Sequence, residues 1–248
     1  YGGSSEDVLS SLKSAGFNRE LILVNVRKLQ KLVQRLDWKA TGSEWGDYAE
    51  FHNYSTDDHL RKENFIREVI KAEKPDTVWD IGCNTGQFSR IAAAECRQVV
   101  AMDIDHVAVE RLFLDPETPH NILPLVQNVA DPSPNWGWRN RERSDLQSRS
   151  RPDLVLCLAL IHHVVITANI PLAEFIDWLA SLTDKLVIEY VSRQDDKLKT
   201  LLRNKQDKYR DYSRESLQAN LSRHFDIRAR QDVNNGDRTL YWCIRRSS

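Results

Sequence analysis

The chain is poor in the residues that break or bridge structure. Nine glycines and eight prolines in 248 residues leave little composition for long disordered linkers. The four cysteines, Cys83, Cys96, Cys157 and Cys243, are scattered and never form a Cys-x-x-Cys pair. They read as reduced core thiols of a cytoplasmic protein, against a disulfide framework or a zinc site. No run of about 18 apolar residues occurs, so no segment is expected to span a membrane, and no signal peptide is visible. An excess of one charge is also missing: 35 basic and 36 acidic residues leave a net charge of −1. Without a global basic field, nucleic acid and anionic membranes are not the expected partners. There is no internal repeat.

What is present suits one globular α/β domain with an N-terminal extension: 41% hydrophobic and 29% charged residues over a length ample for a core. The chain begins Tyr1-Gly2-Gly3-Ser4-Ser5 without Met, which reads as a tag remnant or as the cut end of a longer polypeptide. Residues 18–36 predict a helix, because Ile22, Val26, Leu29, Val33 and Leu36 recur at alternating spacings of four and three. That stripe packs on its own domain, or meets a further N-terminal domain or a homodimer partner. Residues 37–54 are irregular and aromatic, with Trp38, Trp45, Tyr48, Phe51 and Tyr54, and read as satellite core or a lid. The expected division is therefore an N-terminal extension with a lid-like segment over 1–54 and a main domain over 55–248.

From residue 55 onward the pattern alternates between helix and strand, which predicts a mostly parallel sheet. Ser55 is positioned to cap a helix ending near Pro75. Strands follow at 77–81, 98–102, 122–126, 153–160 and 185–191, with helices between them. Pro171 opens one helix at its first turn and Ser213 caps another. Two last strands, 225–229 and 239–244, flank Asn234-Asn235-Gly236-Asp237, a hairpin signal.

The first strand ends in Asp80-Ile81-Gly82-Cys83-Asn84-Thr85-Gly86. Glycine at 82 and 86 permits a tight turn and a close approach of ligand to backbone, and Asp80 stands where the carboxyl end of a strand opens into a crevice. No Gly-Lys-Ser/Thr ending is present, which excludes a P-loop. The Gly-x-x-x-Gly spacing is not that of a nicotinamide dinucleotide site. The loop, followed by alternating units and a C-terminal hairpin, resembles the class I S-adenosylmethionine-dependent methyltransferases over roughly residues 55–246. The resemblance implies a three-layer Rossmann-like sandwich: a mostly parallel seven-stranded sheet with a C-terminal antiparallel hairpin. Asn84 replaces the middle glycine of the family's acid-x-Gly-x-Gly-x-Gly motif, and Asn tolerates left-handed backbone angles.

Three further positions agree with that family. Asp103, ending the second strand, can accept both hydroxyls of a ribose diol; Asp105 is the alternative. Asn128 matches the polar residue that meets the adenine amino group, with Asp131 as the alternative. The segment Leu158–His163 matches the part lying under the methionine portion and the methyl group. The resemblance also implies cofactor contacts at Phe88, Ile104 and Val129. His162 and His163 are candidate bases, since a neutral imidazole can take the proton of a hydroxyl as methyl arrives. A metal role for the pair is disfavoured, because neighbours on a strand point to opposite faces. Glu189, in the apolar fifth strand, is costly to bury alone and is a further catalytic candidate, or else a structural hydrogen-bonding group.

Between the third and fourth strands lies an insert with Pro132, Pro134, Trp136, Trp138 and five arginines, Arg139 first among them. Trp offers a stacking surface for a sugar and Arg a partner for phosphate or carboxylate, so Trp136, Trp138, Arg139 and Tyr48 are the candidate substrate-binding residues. The alternative is a solvated basic segment. Lys62 could meet the cofactor carboxylate from the other side of the cleft. The Asn-Pro-Pro-Tyr type segment that holds planar amines in the family is absent after strand four, as is an acidic pair for a polyamine. The expectation is O-methylation of a small hydroxylated metabolite or sugar. The alternatives are methylation of RNA or protein, and a non-catalytic cofactor-binding domain of a larger protein.

Overall fold

The computed structural model describes residues 5–16, 19–37, 56–203 and 209–246. It contains two compact units, Tyr1–Thr41 and Gly42–Ser248. The first holds α1 (Ser5–Ser14) and α2 (Arg19–Gln34). Glu20 lies in the first turn of α2 and Lys31 in its last, each at the helix end whose partial charge it complements.

The second unit is built on a seven-stranded sheet in the order β3-β2-β1-β4-β5-β7-β6. The strands are β1 (Thr77–Ile81), β2 (Gln98–Asp103), β3 (Ile122–Val126), β4 (Leu154–Cys157), β5 (Lys185–Val191), β6 (Phe225–Val233) and β7 (Arg238–Arg245). The first five are mutually parallel, and β7 runs antiparallel between β5 and β6. This is the Rossmann-like methyltransferase sheet that the sequence resemblance implies. The β6–β7 turn takes left-handed backbone at Asn234 (φ 52°), Asn235 (φ 54°) and Gly236 (φ 86°), residue types that adopt it at low cost.

Two apolar layers sandwich the sheet, and the alternation of side chains along each strand assigns them. Leu154 and Leu156 face one core, with Val78, Val187 and residues of α3 (Thr56–Glu73), α4 (Gln87–Ala93) and α5 (His106–Leu114). Val155 and Cys157 face the other, with Trp79 and residues of α6 (Leu146–Arg149), α7 (Leu172–Leu182), α8 (Asp196–Leu202) and α9 (Arg214–His224). Strands buried on both faces read as continuous apolar runs, as β4 and β5 do. All four cysteines are free and buried.

One strand is shorter than its composition suggests. β4 stops at Cys157 rather than continuing to Leu160. Ala159 turns left-handed (φ 49°), and His163 and Val164 donate backbone N–H to Leu160 O, opening a π-helical turn over His163–Thr167. A buried apolar run has the same composition in a strand or a helical turn, so periodicity could not separate them here.

Candidate active site

The loop after β1 is a chain of left-handed turns held by the neighbouring strand. Gly82 (φ 78°), Asn84 (φ 51°) and Gly86 (φ 82°) all have positive φ. Gly82 N and Cys83 N donate to Met102 O of β2 at 2.7 and 3.0 Å. Asn84 stands at the position of the missing glycine and supports its own turn, its Oδ1 accepting Thr85 N–H at 2.7 Å. Packing explains Gly86 better than ligand approach. A Cβ there would lie 2.6 Å from Leu112 Cδ1 of α5, and Gly86 does not line the adjoining cavity.

That cavity, about 400 Å³, opens at the carboxyl ends of β1 to β4, the ligand edge of an open α/β sheet. Gly82, Asn84, Asp103 and Ile104 form one side; Asn128, Val129, Leu158 and His163 form another. These eight predicted residues come from four separate loops and meet around one space. The Asp103 carboxylate accepts Asn84 N–H at 2.8 Å on Oδ2 and Asp105 N–H at 2.9 Å on Oδ1. Burial pushes its pKa up, while those backbone donors oppose the shift. Asn128 Oδ1 accepts Ala130 N–H at 3.0 Å, which fixes the amide at the cavity wall. Neither alternative residue takes part: Asp105 caps α5 through Val107 N–H at 2.9 Å, and Asp131 is exposed.

The cavity wall combines a carboxylate and an amide with the apolar side chains Ile104, Val129, Leu158 and Leu160. This set suits a nucleoside, with acceptors for a diol and an exocyclic amine and apolar surface for a base. The lining also includes Leu160, within the predicted Leu158–His163 segment, and Gln127, Val164 and Thr167, which no sequence signal marked. The last two enter through the π-helical turn that follows β4.

Other predicted residues lie elsewhere. Asp80 is buried beneath the loop, where Ser89 Oγ donates to its Oδ2 at 2.5 Å. Burial raises its pKa from 3.8 to about 6, against the hydrogen bond from Ser89. Phe88 turns toward α3, with Lys62 Nζ 4.7 Å from its ring centroid. His162 is buried, while His163 is half-buried at the cavity wall, and the two rings lie 4.0 Å apart, tilted by 43°. The pair stands on a helical turn, so the strand argument that set its rings on opposite faces does not apply. Among the described residues no group of three or more His, Cys, Asp or Glu side chains could hold a metal ion.

Glu189 is fully buried and does not line the cavity. Lys62 Nζ donates to its Oε2 at 2.5 Å. Arg238 lies 3.6 Å from its other oxygen and donates through Nε to Asp195 Oδ2 at 2.8 Å. Burial lowers the Lys62 pKa, against the attraction of Glu189. Two cations and two carboxylates thus neutralise one another between α3, β5 and β7, which corrects two expectations: Glu189 is not at the cavity as a base, and Lys62 is committed to a buried ion pair. Pairing is what permits such burial.

Trp136, Trp138 and Arg139 also lie outside the cavity, on a small surface hairpin. Trp136 and Arg143 exchange backbone hydrogen bonds at 2.9 and 3.1 Å. The Arg143 guanidinium sits 5.9 Å from the Trp136 ring, and both tryptophans are well exposed. The hairpin is tied down by Leu146, which is buried and bonds Ser133 O at 3.1 Å. Tyr48 and the other aromatic residues of the 37–54 segment, Trp38, Trp45, Phe51 and Tyr54, lie outside the described residues.

An acid near the end of β1, a left-handed loop after it and a carboxylate at the end of β2 thus meet at the ligand edge of an α/β sheet. A family model described as a methyltransferase domain matches residues 52–228. The chain belongs to that family, within the class I S-adenosylmethionine-dependent methyltransferases, whose methyl donor is S-adenosylmethionine. It is 34% identical over 201 residues to the nodulation protein NoeA of Rhizobium meliloti (strain 1021), covering 80% of this chain and 42% of that protein; it therefore spans less than half of that relative's length. Its fold is similar to the N-methyltransferase NodS of Bradyrhizobium japonicum WM9 (TM-score 0.58, 12% identity, 78% of this chain and 99% of that one). It is likewise similar to the PH0226 protein of Pyrococcus horikoshii OT3 (TM-score 0.56, 16% identity, 83% and 100%). Among the described residues no helix is long and apolar enough to cross a membrane.

Proposed function

We propose that the chain methylates a hydroxyl of a small metabolite or sugar. The observation that carries this reading is His163, an imidazole on the wall of the cavity that also presents Asp103 and Asn128. In this reading Asp103 accepts the ribose diol and Asn128 meets the adenine. Gly82 and Asn84 let the cofactor approach the backbone, and Leu158 underlies the methionine end. When bound, the sulfonium supplies an electrophilic methyl group with an excellent leaving group. The residues therefore have two tasks: to bring the acceptor oxygen into line, which can lower a barrier by several kcal/mol, and to take its proton. His163 is placed for the second, since the free nitrogen of a neutral imidazole can accept a proton. Its buried neighbour His162 supports the ring from behind.

The test follows labelled methyl from S-adenosylmethionine into separate panels of sugars and hydroxylated metabolites, RNA, and protein. Label confined to RNA or protein would overturn the small-molecule reading. With an accepting hydroxyl compound in hand, His163→Ala should lower kcat by about 10²-fold or more while S-adenosylhomocysteine affinity stays within about twofold. His162→Ala should act mainly on stability, because that ring is buried. An unchanged kcat in His163→Ala would remove the base.

A further inference from the structure

A second cavity, about 510 Å³, lies at the carboxyl end of β5 and is lined by Arg193, Arg210 and Arg214 together with Tyr190, Tyr212 and Glu215. Three arginines and Glu215 line it, and Asp232 lies 3.5 Å from Arg214 Nη1, so three cations meet two carboxylates in a chain whose overall charge is −1. Guanidinium stays charged at any ordinary pH and matches an oxyanion with paired N–H donors.

The site is also built in place. Arg193 donates through Nε to Tyr212 O at 3.2 Å and through Nη2 to Tyr209 O, which holds it against the segment closing the cavity. Arg214 donates to Gly236 O at 2.6 Å and lies 5.7 Å from the Tyr190 ring centroid. Arg210 is exposed at the mouth. The first turn of α9, capped by Ser213, adds the partial positive charge of a helix N-terminus.

This cavity opens at the same edge of the sheet as the cofactor cavity. Tyr209 Oη donates to Asn169 Oδ1 at 2.6 Å, and Asn169 follows Ala168, a residue of the cofactor cavity wall. The segment 209–212 therefore connects the arginine cavity to a residue next to the cofactor cavity wall.

We propose that the Arg193, Arg210 and Arg214 cavity binds an oxyanion, a phosphate-type group or a carboxylate, and that it seats this group of the methyl acceptor. The role as an acceptor subsite rests on the methyl-transfer reading above; oxyanion binding does not. The test is calorimetric titration of inorganic phosphate and, separately, acetate into the full chain, into Arg210→Ala and into Arg214→Gln. S-adenosylhomocysteine is titrated into the same three proteins.

Saturable binding of either anion by the wild type is expected, weakened about tenfold or more in each variant, in line with the strength of hydrogen bonds to charged groups. S-adenosylhomocysteine affinity should be unchanged in both variants. The preferred anion distinguishes a phosphate-type group from a carboxylate. No saturable binding of either anion, or equal binding by wild type and variants, overturns the proposal. Should Arg214→Gln fail to fold, the exposed Arg210→Ala decides alone. A wild type that binds phosphate or acetate as expected but not S-adenosylhomocysteine would overturn the methyl-transfer reading and the acceptor role, and leave the oxyanion site standing.

Discussion

The carboxylate of Asp103 accepts the backbone N–H of Asn84 at 2.8 Å. One side chain at the end of β2 thereby fixes the turn after β1, and the residue that departs from the family's glycine pattern is the one it holds. Asp103→Ala removes this tether together with the acceptor proposed for the ribose. It should weaken S-adenosylhomocysteine binding by about 10²-fold, from the loss of hydrogen bonds to a charged group. Calorimetry checks this, and a change under about threefold would take Asp103 out of the cofactor site.

Gly86 meets a buried leucine rather than the cavity. Ala at 86 would combine a left-handed φ, costing roughly 1–2 kcal/mol, with a Cβ 2.6 Å from Leu112 Cδ1 in a closed core. Overpacking of that kind adds roughly 1–3 kcal/mol. Gly86→Ala should therefore lose about 2–5 kcal/mol in urea denaturation. Gly82→Ala should lose less, because its Cβ would meet Leu160 Cδ1 at 3.2 Å. The reverse order would show that α5 yields easily at Leu112.

Asp80 makes stability depend on pH in a known direction. Its folded pKa is raised to about 6 by burial, from an ordinary 3.8. Between those values the native state holds a proton that the unfolded chain has released, so stability falls as pH rises through this window. The loss amounts to about 3 kcal/mol. Asp80→Asn removes it, so the variant should gain about that much on the wild type between roughly pH 4 and pH 7. Denaturation curves across that range test the sign; parallel curves for the two proteins would refute it.

Lys62 and Glu189, 2.5 Å apart and buried, should behave as a coupled pair. Lys62→Met takes a buried cation away from the Glu189 carboxylate, which keeps Arg238 at 3.6 Å, and should cost about 3–5 kcal/mol. Glu189→Gln should also destabilise. The double variant should cost less than the two single losses added together, by roughly 1–3 kcal/mol. A double-mutant cycle with no coupling would show that the pair is not maintained in solution. A kcat loss in Glu189→Gln exceeding its loss of stability would return Glu189 to the list of catalytic groups.

Local signals carried the architecture and the cofactor loop. The apolar runs of β1, β4 and β5, the capping serine at 213 and the Asn-Asn-Gly turn all act within a few residues of themselves. The acid ending each of β1 and β2 marked the ligand edge, because strand ends follow from where apolar runs stop. Sequence reasoning erred where one composition serves two structures. The run after Cys157 could extend a strand or start a helical turn, and that choice decided which residues reach the cavity wall. It also erred on charged residues, whose roles depend on partners far along the chain. Lys62 and Glu189 are 127 residues apart, and no local pattern records that they meet.

By itself, then, the sequence determined the alternating architecture and the turn after β1, since backbone angles and burial periodicity are properties of neighbouring residues, and its resemblance to a family implied the donor. Only the tertiary structure decided that Gly86 serves α5, that His163 rather than His162 lines the cavity, and that Glu189 is neutralised inside the protein. Each of those outcomes depends on which distant side chain fills the adjacent space, and in a close-packed interior that is settled when the layers come together.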